Sequence, residues 1–200
     1  MPATPLSERQ FEIIAAAGRI LSASGVSGLT IKRLAQEMHF TEGAIYRHFA
    51  SKEDIVLAML AYLAEDMDQR LSRIVAAAQA PPATLEATFA DQFAFFARHP
   101  HFVVAVFSDG LMAESRRINA AILRILQIKT KHLLPVIEQG QRQGFFTTDL
   151  PPEALAHIVM GTIRLQMLRW RIENFAFDIE QQGQQMLQAV SSLITRQPPL

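Results

Sequence analysis

The sequence predicts an all-α fold, and three observations carry that expectation. Glycines and prolines gather at a few places, near Gly25 to Gly28, Pro81-Pro82, Pro100, Gly110, Gly140 to Gly144 and Pro151-Pro152, and leave long stretches uninterrupted. Those stretches repeat apolar residues at helical spacing, and none alternates as a strand would. Half of the 200 residues are hydrophobic, enough to bury a substantial core, which excludes general disorder. The punctuation divides the chain into about nine helices.

The first helix is expected from Ser7, a suitable N-cap, to Ala23, with Ile13, Ile14, Ala17, Ile20 and Leu21 as its apolar stripe and Gly25 as its end. The second begins at the cap Thr30 and sets Ile31, Leu34, Ala35 and Met38 on one face, so that Lys32, Arg33 and Gln36 point away. The third begins almost at once, from Thr41. Ile45 and Phe49 face inward there, and Glu42, Gly43, Tyr46 and Arg47 face outward. Ser51 caps a long fourth helix, roughly 52 to 78. Five more are expected near 83 to 98, 101 to 108, 115 to 143, 153 to 174 and 177 to 195, with Pro135 kinking or splitting the longest of them. Ser108-Asp109-Gly110 reads as a turn.

Composition excludes several classes of chemistry. Without cysteine there is no disulfide, thiolate metal site or cysteine nucleophile. No apolar run reaches membrane-spanning length and the start, MPATPLSERQ, lacks the apolar core of a secretory signal, so a cytoplasmic protein with no membrane partner is expected. There is no nucleophile elbow, phosphate-cradling glycine loop or HExxH, so neither an enzyme nor a cofactor is expected. His99, His101, His132 and His157 lack the carboxylates that would make a metal set, and no metal is expected. The 19 basic and 19 acidic residues cancel, so any case for nucleic acid must be local.

One stretch makes that case. Two short helices joined by about four residues and packed on a preceding helix describe a helix-turn-helix at 30 to 49, whose second helix would enter a major groove. Thr30 and Thr41 put hydroxyls and backbone N–H groups at two helix starts, which suits phosphate. Lys32, Arg33, Arg47 and Lys52 stand against Glu37 and Glu42, an excess that a dimer doubles. From periodicity alone, a compact helical corner without DNA binding fits equally well.

The residues themselves resemble one family. GLTIKRLAQEMHFTEGAIYRHFASKEDIV, with FEIIAAAGRILSASGVSGLT before it, is similar to the DNA-binding domain of TetR-like regulators over about residues 9 to 60. The resemblance implies a DNA-binding domain at 1–52 and an effector-binding and dimerisation domain at 53–200. It implies that Thr30 and Lys32 meet the DNA backbone, that Thr41, Glu42, Gly43 and Ala44 form the front of the recognition helix, that Tyr46 makes an aromatic contact, and that His48 and Lys52 hold phosphates. Arg47 joins them on the reading face. The chain departs from the family in the turn, where Gly usually stands in place of His39 and Val in place of Phe40. His39 is therefore expected in whatever backbone the turn needs, a left-handed one included. Glu42 would repel phosphate but accept from cytosine N4, or simply complement its helix N-terminus.

The remaining residues carry no comparable motif. Met59, Tyr62, Phe89, Phe93, Phe96, Phe107 and Met112 are expected mainly as core, and together as the lining of an apolar ligand cavity. The resemblance implies a small-molecule effector there, apolar or amphipathic, that swings the fourth helix. The last two helices are apolar on more than one side, and by resemblance Leu155, Ile158, Val159, Thr162, Met186, Leu187, Val190 and Ile194 belong to a twofold four-helix homodimer interface. The expected function is a regulator, a repressor in the leading reading, released from double-stranded operator DNA by its effector. The alternative is a helical ligand-binding or protein-interaction module that has lost specific DNA binding.

Overall fold

A computed structural model describes residues 6–77 and 80–195. Among them the chain forms ten helices: α1 Glu8–Gly28, α2 Ile31–Glu37, α3 Glu42–Tyr46, α4 Lys52–Ala76, α5 Pro81–Arg98, α6 Pro100–Val106, α7 Asp109–Glu114, α8 Arg116–Arg142, α9 Pro152–Ile172 and α10 Ile179–Ile194. The expected end of the fourth helix at 78 and the first five residues of the chain lie outside the described residues. Two compact units are formed, one by Met1–Glu65 with Pro100–Ile125 and the other by Asp66–His99 with Leu126–Leu200. The start of α4 and of α8 belongs to the first, and the remainder of each to the second.

In the first unit, α1 is held at its start by a full capping box: the Ser7 hydroxyl accepts from the Gln10 N–H at 3.3 Å, and the Gln10 side chain accepts from the Ser7 N–H at 3.0 Å. Gly25 interrupts it with φ 64°, a left-handed value open to a residue without Cβ, and one more turn leads to Gly28. Ile13, Ile14, Ala17, Ile20 and Leu21 are buried as the periodicity requires. α1 packs on α2 and on α6, where the His101 ring lies within 3 Å of where a Cβ on Gly18 would stand. α4 is capped by Ser51, whose hydroxyl oxygen accepts from the Asp54 N–H at 3.1 Å.

The tenth helix, α7, corrects the expected turn at 108 to 110. Ser108 accepts from the Leu111 N–H at 3.2 Å and so begins a helix, since the residue types that favour turns also serve as N-caps. α8 runs unbroken through Pro135, so of the two expected outcomes, a kink or a split, the split does not occur. One missing N–H in a helix of 27 residues leaves the remaining bonds in place, and Leu133, Val136 and Ile137 around it are buried.

In the second unit, α10 packs against α5 and α9. Gly183 permits the first contact, because a Cβ there would lie 2.5 Å from the Phe93 ring. Phe89, Phe93, Phe146, Ile137, Leu155, Val159, Met167 and Trp170 fill the core, and the Trp170 indole N–H donates to the Phe177 carbonyl at 2.8 Å.

Candidate nucleic-acid interface

The turn between α2 and α3 closes by two backbone bonds. The His39 N–H donates to the Gln36 carbonyl at 3.2 Å and the Phe40 N–H to the Ala35 carbonyl at 2.8 Å, the paired bonds of a Schellman termination. Such a termination demands a left-handed residue at its corner, and His39 takes it with φ 55°. Of the backbones the turn could have required of His39, the left-handed one is the one it takes. Phe40 beyond it is half-buried, with the Arg9 guanidinium 5.0 Å from its ring centroid. Thr30 accepts from the Arg33 N–H at 3.1 Å and Thr41 from the Ala44 N–H at 3.2 Å, so both hydroxyls act as caps through their oxygens and keep their protons for another acceptor.

α3 is shorter than the sequence suggests, ending at Tyr46, but Ile45 and Phe49 are both buried and hold it against the unit's core. The Gln10 amide adds a bond to the His48 carbonyl at 3.4 Å, tying the start of α1 to the end of this segment. What remains outside is one continuous face. Thr30, Lys32, Thr41, Glu42, Gly43, Tyr46, Arg47 and His48 are exposed, while Ala44 and Lys52 are half-buried. Tyr46 leaves 52% of its surface in solvent, a large aromatic with no structural demand on it. Gly43 is not crowded, since a Cβ there would find nothing nearer than the Thr41 hydroxyl at 3.9 Å.

The local charge is more favourable to an anion than the sequence count suggests. Arg19 on α1 pairs with Glu37 at 3.0 Å, whereas Lys32, Arg33, Arg47 and Lys52 make no ion pair among the described residues. Sequence reasoning missed Arg19 because its partner is 18 positions away. The base of α4 is fixed by a second cluster. The Ser51 hydroxyl and the Arg117 guanidinium bind Asp54 at 2.8 and 2.9 Å and hold its carboxyl below the usual range, and Glu53 binds Ser115 and Arg117. Lys52 therefore projects from a tethered helix end.

The other expected site residues fall in both units. Met59 is buried and Tyr62 lies between the Phe11 and Phe102 rings, 5.5 and 6.2 Å away, with Phe107 and Met112 half-buried, all in the first unit. Phe89, Phe93 and Phe96 are buried in the second. Phe93 lines an open cleft of about 370 Å³ between α5 and α10, with Ala90, Leu187, Glu86 and Glu180. Another cleft, of about 400 Å³, lies in the first unit between α4 and α8, lined by Leu57, Ala61, Ala64, Ala121, Arg117 and Arg124. Among the histidines, His132 binds Asp68 at 2.6 Å and holds that carboxyl down, His101 lies on Gly18, His99 on the Phe95 ring, and His157 is exposed.

On the last two helices, Leu155, Val159, Leu187, Val190 and Ile194 are buried within the unit itself, while Thr162 and Met186 are half-buried and Ile158 is exposed. The outward face of α9 carries a set that shares Ile158 with the expected one. Ile158, Gly161, Leu165, Leu168 and Ile172 recur at alternating steps of three and four, and Leu165 and Ile172 are 66% and 70% exposed. On α10, Met186, Ala189 and Leu193 continue that kind of stripe, Leu193 being 80% exposed. The seven-residue spacing was the signal available in the sequence.

Residues 13–59 match the family of bacterial regulatory proteins, tetR family. Along nearly its whole length the chain is similar to the HTH-type transcriptional repressor KstR2 of Mycobacterium tuberculosis, 26% identical over 194 residues that cover 96% of both chains. The solved structure of that ketosteroid transcriptional regulator superposes with a TM-score of 0.79 at 25% identity, covering 98% of this chain and all of that one. The nucleoid occlusion factor SlmA of Vibrio vulnificus is 24% identical over 178 residues, 88% of this chain and 91% of that one. The regulator FadR of Bacillus halodurans shares the fold at 18% identity, with a TM-score of 0.80 over 94% and 97% of the two chains.

Proposed function

We propose that the chain is a member of the tetR family of bacterial regulatory proteins, that it represses transcription as a homodimer on double-stranded operator DNA and that it is released by a small amphipathic effector. One observation carries the DNA reading. A helix held from below by Ile45 and Phe49, and set by a closed left-handed turn, presents Thr41, Glu42, Gly43, Tyr46 and Arg47 to solvent, with Lys32, Arg33 and Lys52 beside it, and none of these four cations makes an ion pair among the described residues. Lys32, His48 and Lys52, with the hydroxyl protons of Thr30 and Thr41, hold phosphates and fix the register. Base reading falls to Tyr46, Arg47 and Glu42, with apolar contact to thymine methyl groups from Ala44.

The dimer seam lies on Ile158, Gly161, Leu165, Leu168 and Ile172 of α9 with Met186, Ala189 and Leu193 of α10. Support comes from their exposure together and their seam-like spacing. Leu155, Val159, Leu187, Val190 and Ile194 back that surface from inside. Thr162 edges it. The effector contacts the aromatic side chains Phe89, Phe93 and Phe96 of the second unit, and its binding moves α4, whose first residue is Lys52; Met59, Tyr62, Phe107 and Met112 belong to the first unit. Operator binding places the protein in the cytoplasm. No helix among the described residues is long and apolar enough to cross a membrane.

The test is a gel-shift titration on DNA upstream of the protein's own gene, with selection from random sequence beside it. Binding that prefers a twofold sequence and weakens steeply with salt is expected. Binding to neither pool would leave the interaction module as the better reading.

A further inference from the structure

The second unit holds polar groups that neither the reading face nor the dimer seam uses. Lys129 on α8 sets its ammonium 5.8 Å from the centre of the Phe96 ring, and no hydrogen bond or ion pair to it exists among the described residues. Arg70 on α4 lies over the Phe95 ring at 4.1 Å, and the Phe95 and Phe96 rings meet edge to face at 5.6 Å. Two cations thus flank one aromatic pair. Arg70 is answered by Asp66 at 2.7 Å and by Asp91, yet its Nη2 is buried without a hydrogen-bond partner among the described residues. One turn before Phe96, Gln92 is buried at 1% exposure. Its amide donates to the Thr88 carbonyl at 3.5 Å, and its Oε1 accepts from nothing among the described residues.

The electrostatics of this place are unbalanced. Both aspartates are engaged by Arg70, and burial pushes Asp91 upward toward its neutral form. Burial, then the charges of Arg164 and Arg70, push Lys129 down to about 8. A half-buried ammonium with no counter-charge among the described residues is unfavourable in any folded chain, and such groups mark places where a ligand supplies what is missing. The unused donor on Arg70 and the unused acceptor on Gln92 make the same point independently of charge.

We propose that Lys129 anchors the carboxylate of an amphipathic acid, with Nη2 of Arg70 as a second donor, Phe95 and Phe96 against the apolar body, and Gln92 Oε1 accepting from a hydroxyl or N–H of the ligand. This rests on the reading of the chain as a ligand-responsive regulator and names the chemical class of its effector. A neutral apolar molecule would leave Lys129 as unpaired as before.

The experiment is calorimetric titration of the full chain with straight-chain alkanoates, from octanoate to tetradecanoate, against the matching 1-alkanols and methyl esters. Acids should bind wild type about tenfold more tightly than either neutral series, a charge-assisted hydrogen bond being the difference. Lys129→Met should abolish the preference and leave alkanol binding unchanged, and Lys129→Arg should keep it. Acids that bind no better than esters, a preference that survives Lys129→Met, or no acid binding at all would each overturn the proposal. The wild-type ester comparison decides the matter even where the methionine variant fails to fold. Operator binding by the unliganded protein is measured alongside: DNA binding without acid preference sinks only the effector class, and acid preference without DNA binding sinks only the repressor reading.

Discussion

Replacing Lys129 by methionine should stabilise the free protein, the reverse of what removing a core-facing side chain usually does. The ammonium sits at about 8 in the folded chain against an ordinary value of 10.5. Each tenfold change in proton affinity corresponds to about 1.4 kcal/mol, so the full difference is about 3 kcal/mol. Lys129 keeps part of its surface in solvent, and screening there reduces the net effect to roughly 1–3 kcal/mol at pH 7. Proton binding sets the sign. Below about pH 8 the folded chain carries the charge at this disadvantage, while the unfolded chain carries it freely. Between about 8 and 10.5 the unfolded chain holds the proton that the folded chain has released, so wild-type stability rises with pH relative to the variant. Above that interval both are neutral and the difference vanishes. Urea unfolding of both proteins at one fixed concentration, at pH 7 and again near pH 10, measures it. A methionine variant that is no more stable at pH 7, or whose advantage does not shrink with pH, refutes the reasoning. A gain in stability with lost acid binding is the exchange expected where a site is held ready for a ligand.

Four further outcomes are expected. Lys52→Ala should weaken binding to all DNA sequences and flatten the salt dependence by about one unit per protomer, and an unchanged slope removes Lys52 from the phosphate contacts. His39→Gly should stabilise the protein by about 1 kcal/mol, because the left-handed corner no longer carries a Cβ; thermal unfolding that does not shift argues against strain there. Leu165→Glu should give monomers in sedimentation and lose most operator affinity, and an intact dimer would move the seam elsewhere. Gly183→Ala should destabilise by about 1–3 kcal/mol, since the new methyl meets the Phe93 ring, and urea midpoints equal to wild type would contradict that packing.

Much of the first unit is legible residue by residue. Ser7, Thr30, Thr41 and Ser51 cap helices because a short hydroxyl side chain satisfies first-turn N–H groups that nothing else can reach, and all four sit where the sequence places them. Ile13, Leu34, Ile45 and Phe49 are buried because helical spacing leaves them only one face to share. The failures have equally local causes. Ser108-Asp109-Gly110 admits both a turn and a cap, and the burial of Leu111 in the first turn of α7 favours the cap. Pro135 removes one bond, and the buried residues on either side of it decide whether the helix survives.

The helical class, the exposed face from Thr41 to Arg47 and the departure from glycine at the His39 corner are legible in the sequence alone, since each depends on neighbours within a turn or two. Only the tertiary structure decided the properties that pair distant residues. Arg19 cancels Glu37, Arg117 tethers the start of α4, Leu155 and Val159 face inward while Leu165 and Ile172 face outward, and Lys129 stands beside the Phe96 ring with no acid among the described residues to answer it. Periodicity finds that a helix has an apolar side, but several angles of α9 are apolar. Burial and charge balance depend on which helix lies opposite, and that is set by the packing of the whole chain.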